Sequence, residues 1–290
     1  MSNKNHSVVS VRKHTLEFGK KTFCMGILNI TPDSFSDGGK YLDPEIALEK
    51  ALELEKDGAD IIDIGGESSR PGSDTISAKE ELNRIMPVLK ELVKKIKIPI
   101  SIDTYKPEVA KEVLEAGADI INDITGLHNN EQLAKLVAKY DAGIIVMHML
   151  GTPKTMQANP QYKDLIGEII AYFKKSIDIA KVNGIKEDKI IIDPGIGFGK
   201  TIEHNLEIIR KLSAFKSIGR PILLGTSRKS FIGNILNLPV NERLEGTAAS
   251  VAIGIMNGAD IVRVHDIKEM KRVIKIADAI KYPKEIRIGE

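Results

Sequence analysis

Three times along the chain the tripeptide Gly-Ala-Asp runs straight into a short block of mostly β-branched residues. Gly58-Ala59-Asp60 precedes Ile61-Ile62-Asp63-Ile64, Gly117-Ala118-Asp119 precedes Ile120-Ile121-Asn122-Asp123, and Gly258-Ala259-Asp260 precedes Ile261-Val262-Arg263-Val264. Each copy follows a stretch with helical patterning, such as Pro44 to Lys56 or Pro107 to Ala116. Glycine just past a helix takes the left-handed conformation that stops it. The apolar block after it reads as a buried strand. Looser copies are Ala142-Gly143 before Ile144-Ile145-Val146-Met147, and Asn183-Gly184 shortly before Ile190-Ile191-Ile192.

Apolar runs of this kind predict eight strands, near residues 23–30, 61–66, 99–103, 120–124, 143–148, 189–193, 221–225 and 260–265. Their apolar residues are continuous, not alternating, so both faces are covered, as in a parallel sheet. Length alone, 290 residues, fits two domains or one. Eight β/α units in that length point to one α/β domain, a single (β/α)8 TIM barrel. A doubly wound open sheet is the alternative, but no glycine-rich dinucleotide fingerprint opens any unit. Residues 8–22, with Gly19 as a turn signal, read as a β-hairpin closing the barrel bottom. The expected organisation is a polar tail and hairpin over 1–22 and a barrel over 23–290.

Composition removes whole classes of function. Apolar residues are 42% and charged residues 28%, a soluble globular balance. No apolar run approaches the ~18 residues of a membrane span. Charge is balanced at +2, and aromatics are 4% with no Trp, so a dedicated nucleic-acid binder is not expected. The one cysteine, Cys24, forms no internal disulfide and fits a reducing compartment. It sits at a strand start and reads as a small buried hydrophobe, not a nucleophile. The polar start, Met1 to Ser7, lacks the apolar core of a signal peptide, so a cytoplasmic location is expected.

In such barrels the chemistry sits where strands end and βα loops begin. Strand one leads to Asn29 and then to Asp33, Phe35 and Asp37; strand two leads to Ser69, Arg70 and Pro71. Later strands end at Asp103, at Asn122, at Met147-His148 and at Asp193, followed by Phe198. The seventh leads to Ser227-Arg228-Lys229-Ser230, and the eighth carries Arg263 and His265. Side chains alternate along a strand, so Ser101 shares a face with Asp103, and Arg263 with His265. Asp103, Asn122, Asp193 and Lys229 would be costly to desolvate without a ligand or one another. Two carboxylates, an amide and an ammonium suit a flat polar heterocycle read along its edge. Arg263 with His265 forms a candidate anion site, as does the helix start at Ser230. No His/Cys cluster has zinc spacing, and His148, His204 and His265 stand apart. Asn29, Asp33 and Asp37 are candidate oxygen ligands for Mg²⁺, which needs only one or two from protein when it bridges a phosphate. Asp37 reads equally as a turn residue.

Taken in order, these segments resemble the dihydropteroate synthase family of pterin-binding barrels. They are Gly26-Ile27-Leu28-Asn29-Ile30-Thr31-Pro32-Asp33-Ser34-Phe35-Ser36-Asp37, Asp63-Ile64-Gly65-Gly66-Glu67-Ser68-Ser69-Arg70-Pro71-Gly72, Ser101-Ile102-Asp103-Thr104, Asn122-Asp123, Asp193-Pro194-Gly195-Ile196-Gly197-Phe198, Ser227-Arg228-Lys229-Ser230 and Arg263-Val264-His265-Asp266. They cover nearly the whole chain. The resemblance implies joining of 6-hydroxymethyl-7,8-dihydropterin diphosphate to p-aminobenzoate, with release of pyrophosphate. It implies that Asp103, Asn122, Asp193 and Lys229 hold the pterin, lined by Met147 and Phe198. It implies Mg²⁺ on Asn29 at the diphosphate, with Arg263 and His265 on the same anion and Ser230 at the p-aminobenzoate carboxylate. Loop one (Asp33, Phe35, Asp37) and loop two (Ser69, Arg70) would close over the site, these residues and Lys229 forming the catalytic set. A homodimer is implied too.

Two departures are visible: Ser69 stands where the family often has Thr, and Leu150 where a polar residue is common. Three rival readings remain at this level. A methyltetrahydrofolate-dependent methyltransferase shares the pterin pocket but needs neither Ser227-Arg228-Lys229-Ser230 nor Arg70-Pro71-Gly72. A Schiff-base aldolase would use Lys229 as nucleophile. A silent pterin-binding module would not need loops one and two.

Overall fold

The computed structural model describes residues 8–31, 44–68, 72–128 and 130–283. Strands β1 (Val8–Val11) and β2 (His14–Glu17) pair as an antiparallel hairpin. Eight further strands follow: β3 (Phe23–Asn29), β4 (Ile61–Gly65), β5 (Ile100–Asp103), β6 (Ile120–Asp123), β7 (Gly143–Met147), β8 (Ile190–Asp193), β9 (Leu223–Leu224) and β10 (Ile261–Val264). They form one parallel sheet in the order β8-β7-β6-β5-β4-β3-β10-β9. A bridge between Ile192 and Ile222 joins the two ends and closes the barrel. The helices between them are α1 (Pro44–Lys56), α2 (Ala78–Lys95), α3 (Pro107–Ala116), α4 (Glu131–Lys139), α5 (Leu165–Val182), α6 (Ile202–Arg210), α7 (Ser230–Leu236), α8 (Leu244–Met256) and α9 (Ile267–Lys281). The fold is the expected (β/α)8 barrel with its hairpin. The seventh unit differs from a plain β/α repeat, because β9 is followed by two helices, α7 and α8.

The repeated tripeptide has a physical explanation at each position. Gly58, Gly117 and Gly258 have φ of +100°, +115° and +117°. Each donates its N–H back into the preceding helix, as does the alanine after it: Ala59 to Leu54, Ala118 to Val113, Ala259 to Gly254. This paired pattern satisfies the carbonyls a helix end leaves orphaned. The aspartates then receive an N–H at the start of the neighbouring strand. Asp60 accepts from Cys24 N, Asp119 from Ile100 N and Asp260 from Ile222 N. One tripeptide ends a helix, turns the chain and anchors the strand beside it.

Inward-facing side chains change character along the barrel axis. At the bottom, Phe23, Met25, Ile61, Ile120, Ile145, Ile191, Leu223 and Ile261 pack against Val9, Val11, Leu16 and Phe18 of the hairpin segment. The hairpin is therefore the barrel's floor plug. A Cβ on Gly143 would lie 2.4 Å from Val11, which shows how closely it seats. Arg12 donates to the carbonyls of Leu114 and Ala118 beneath α3. Further up, five of the eight strands present polar inward side chains, Asp63, Asp103, Asn122, Asp193 and Arg263, while β3 and β7 carry Ile27 and Met147. Outward positions such as Ile62, Ile64, Ile102, Ile144 and Val262 are buried against the helices. Burial of this outer layer, at roughly 25 cal/mol per Å² of apolar surface, is the main stabilising contribution.

Candidate active site

Asp103, Asn122, Met147, Asp193, Phe198, Lys229 and Arg263 line one pocket at the barrel mouth, with Ile124, Ile196 and Gly225. The strand ends singled out from sequence do converge. Arg263 is the hub: its Nε donates to Asp63 Oδ2 at 2.6 Å and its Nη2 to Asp103 Oδ2 at 3.0 Å. Asn122 Nδ2 donates to the same Asp63 oxygen at 3.1 Å. Asp193 Oδ1 accepts from the Gly195 N–H at 2.8 Å, and Gly195 itself has φ +69°. Lys229 Nζ lies 4.2 Å from the Phe198 ring centroid, a cation–π contact.

Burial dominates the electrostatics. It pushes Asp103 up to about 7, with Arg263 pulling the other way. Asp193 is also raised by burial, opposed by the Gly195 N–H and by Lys229. Lys229 falls to about 8 through burial and the Arg263 charge, while Asp193 and Asp103 support its protonated form. Burial works against the Arg263 charge, but Asp63 and Asp103 more than compensate. The pocket thus holds a pair of carboxylates and a lysine whose charged forms burial opposes.

His265, expected beside Arg263 at an anion site, follows directly on β10. Burial and the charges of Arg263 and Arg228 push it down to about 3, so it is neutral near pH 7. Its Nδ1 lies 3.0 Å from Ser227 Oγ. The positive charge at this corner is that of Arg263, which two carboxylates already contact.

The loop after β9 is held by arginines. Arg228 has φ +56° and grips Asp266 with two hydrogen bonds. Arg243 donates to the Arg228 and Leu238 carbonyls and lies against Gly233. Lys229 is the N-cap of α7 and supplies no side-chain cap, so Ser230 opens the helix with first-turn N–H groups lacking a capping side chain. On the opposite side, Lys106 pairs with Glu67 and Glu81, and Tyr105 donates to Glu67 at 3.0 Å.

Asn29 ends β3 beside this network. Its Oδ1 is 3.4 Å from where a Cβ on Gly65 would stand, and Asp103 Oδ2 is 3.9 Å from that point. An amide oxygen is a hard donor, and glycine keeps the space next to it open. These residues fit an Mg²⁺ held by one protein oxygen, the remainder coming from phosphate and water. Among the described residues no three His, Cys, Asp or Glu side chains gather to hold a metal. Asp33, Phe35 and Asp37 of loop one, and Ser69, Arg70 and Pro71 of loop two, lie outside the described residues. Sequence reasoning missed Asp63, Arg243 and the buried Lys200, which contacts His148. For Asp63 a signal existed, since it shares strand parity with inward Ile61 and Gly65.

A parallel barrel that gathers two carboxylates, an amide and a lysine at its mouth defines a pocket for the edge of a flat, hydrogen-bonding ring. The family model for pterin binding enzymes matches residues 25–265, and the chain belongs to that family. Similar proteins there include dihydropteroate synthases. The enzyme of Clostridium beijerinckii is 51% identical over 263 residues, 90% of this chain and 95% of that one. That of Bacillus subtilis is 47% identical over 273 residues, 94% of this chain and 93% of that one. Among solved structures, dihydropteroate synthase of Yersinia pestis with a sulfonamide drug superposes with a TM-score of 0.90 at 40% identity, covering 95% of this chain and 99% of that one. The Clostridium difficile enzyme with pteroic acid gives 0.86 at 48% identity, covering 91% and 98%. No helix among the described residues is long and apolar enough to cross a membrane.

Proposed function

We propose that this chain joins 6-hydroxymethyl-7,8-dihydropterin diphosphate to p-aminobenzoate, giving 7,8-dihydropteroate and pyrophosphate in folate biosynthesis. The observation that carries this reading is the convergence of Asp103, Asn122, Asp193 and Lys229 on one pocket beside Arg263. A pterin presents ring N–H and exocyclic amine donors side by side, which suit carboxylates, and a ring carbonyl and nitrogen, which suit Lys229. Met147 and Phe198 supply apolar walls for its faces.

The reaction breaks the CH2–O bond of the pterin diphosphate, and the electron pair leaves with pyrophosphate. The p-aminobenzoate nitrogen forms the new C–N bond and then loses a proton. An aromatic amine is a weak nucleophile, so easing departure matters more than a strong base. Asp103 and Asp193 favour positive charge that develops on the pterin, and Arg263 favours the departing anion. Asn29 is the residue that would hold Mg²⁺, which supplies charge neutralisation to the diphosphate when bound. His265, beside Arg263, would meet the same anion through its ring N–H. Ser230 and the first N–H groups of α7 face the role of carboxylate receptor. Asp33, Phe35, Asp37, Ser69 and Arg70 complete the p-aminobenzoate side by the family's pattern.

The same reading takes residues 23–290 as one catalytic unit, preceded by the hairpin segment, in the cytoplasm and as a homodimer. Exposed Ile253 and Met256 on α8 and Ile276 and Ile280 on α9 support the dimer. One observation favours the aldolase alternative, namely that Lys229 is lowered to about 8, as Schiff-base lysines are. Borohydride trapping with a carbonyl compound separates the two. The deciding experiment is a coupling assay with pterin diphosphate and p-aminobenzoate, with and without Mg²⁺. Product formation that needs Mg²⁺ supports the reading, and no product with both substrates and Mg²⁺ overturns it.

A further inference from the structure

Lys200 is 2% exposed, behind the wall of the pocket. Its Nζ lies 3.0 Å from His148 Nδ1, 2.9 Å from the Phe198 carbonyl and 3.4 Å from the His148 carbonyl. None of these three partners is a carboxylate. An amine buried with no carboxylate in contact is costly to keep charged, so its retention calls for a structural return.

That return is visible in what it connects. His148 follows Met147 at the exit of β7, and Phe198 lies in the loop leaving β8. The two segments are already in close apposition. His148 N donates to the Asp193 carbonyl at 2.9 Å, and a Cβ on Gly195 would lie 2.0 Å from the His148 carbonyl oxygen. Other contacts hold the rest of the loop: Gln157 donates to the Gly197 carbonyl and Tyr162 to that of Gly199. Among the described residues Lys200 is the side chain that grips the Phe198 carbonyl, and the Phe198 ring faces Lys229.

We propose that Lys200 is a positioning residue for the pterin subsite: by tying the Phe198 loop to the end of β7 it fixes the distance between the Phe198 wall and Lys229. This rests on the pocket being the pterin subsite. Burial holds His148 down at about 2, so the ring is neutral and its Nδ1 is free to accept from Lys200 in the Nε2–H tautomer. Burial also lowers Lys200 to about 7, with Asp193 favouring and Lys229 opposing its charge. Lys200 touches no reacting atom in this arrangement, so its loss acts on binding and not on the chemical step.

The test is calorimetry with 6-hydroxymethylpterin together with steady-state kinetics, on wild type, Lys200→Met, Lys200→Gln and His148→Phe. Wild type that fails to bind the pterin sinks the subsite reading and leaves the Lys200 geometry aside. With wild type binding, Lys200→Met raises the pterin Kd and the pterin diphosphate KM about tenfold or more, kcat staying within about threefold. Lys200→Gln, which keeps a donor, recovers part of the loss. Unchanged pterin affinity in folded Lys200→Met, or a fall in kcat at constant KM, overturns the proposal. Should Lys200→Met not fold, His148→Phe decides, a raised KM supporting the proposal and an unchanged one overturning it.

Discussion

A single carboxylate oxygen of Asp63 receives both Arg263 Nε, at 2.6 Å, and Asn122 Nδ2, at 3.1 Å. Asp63 is fully buried one layer below the pocket and does not line it. It sets two pocket residues at once. Asp63→Asn forces an NH2 or a weaker acceptor on donors that need an anion. The expected outcome is a loss of about 3 kcal/mol in urea unfolding, as for breaking a buried ion pair, and weaker pterin binding by calorimetry. Wild-type stability would show that Asp103 alone suffices for Arg263.

Asp193 already accepts the Gly195 N–H on Oδ1, leaving Oδ2 for a ligand. In Asp193→Asn the amide keeps the Gly195 bond only by turning its NH2 toward the ligand's own donors. Pterin affinity should fall by about 2–3 kcal/mol, the range for a charge-assisted hydrogen bond. Unchanged calorimetric affinity in a folded variant would contradict it.

Lys229 titrates at about 8 in the folded chain. Its ammonium is the form that donates to a ring carbonyl, so pterin affinity should fall as pH rises through about 8. Lys229→Met should bind weakly at every pH and lose that dependence. Stability without ligand carries the opposite sign. A lysine lowered on folding binds fewer protons folded than unfolded between its two pKa values, so its contribution grows as pH rises across that window. Thermal unfolding of wild type and Lys229→Met across this range checks the second half.

Gly195 and Gly219 have nearly the same φ, +69° and +73°. At Gly195 a Cβ meets the His148 carbonyl oxygen at 2.0 Å, whereas at Gly219 nothing lies within 4 Å. Gly219→Ala should cost about 1 kcal/mol, from backbone strain alone. Gly195→Ala must also move the β7 exit and break the Asp193 bond, so it should cost well over twice that and abolish pterin binding. Equal unfolding midpoints for the two variants would refute the steric argument.

Arg70, in loop two, is expected to act late in the cycle. Arg70→Ala should leave pterin diphosphate affinity nearly intact while lowering kcat and kcat/KM about 10²-fold, the loss typical of one electrostatic stabiliser. Steady-state kinetics on both substrates decide it. A rise in KM with kcat preserved would assign Arg70 to ground-state binding.

The barrel was legible because its signals are local. Gly58, Gly117 and Gly258 mark helix ends, and isoleucine-rich blocks mark the strands after them. Asp103, Asn122 and Asp193 were legible because position at a strand end implies position at the mouth. What stayed hidden depends on contacts across the fold. Asp63 and Arg263 are separated by 200 positions, and Lys200 and His148 by 52. The neutrality of His265 follows from burial beside two arginines, which no spacing reveals. The second helix of the seventh unit was missed because β9 is only two residues long and gives little pattern to count from.

That short strand sets how the cylinder is closed. Along β7 and β8 four residue pairs are in register, but β8 meets the β9 side through the Ile192–Ile222 bridge, with Ile192 donating to the Pro221 carbonyl. The barrel is a curled sheet fastened lightly along one seam. Asp193 stands on one lip of that seam, and the loop carrying Lys229 leaves from the other. On the proposed reading, a ring gripped by both would be a clasp across the thinnest join, and each bound pterin would fasten the protein as well as occupy it. Occupancy then adds RT ln(1 + [L]/Kd) to the free energy of unfolding, and amide exchange at Ile192 and Ile222 becomes a gauge of how full the site is.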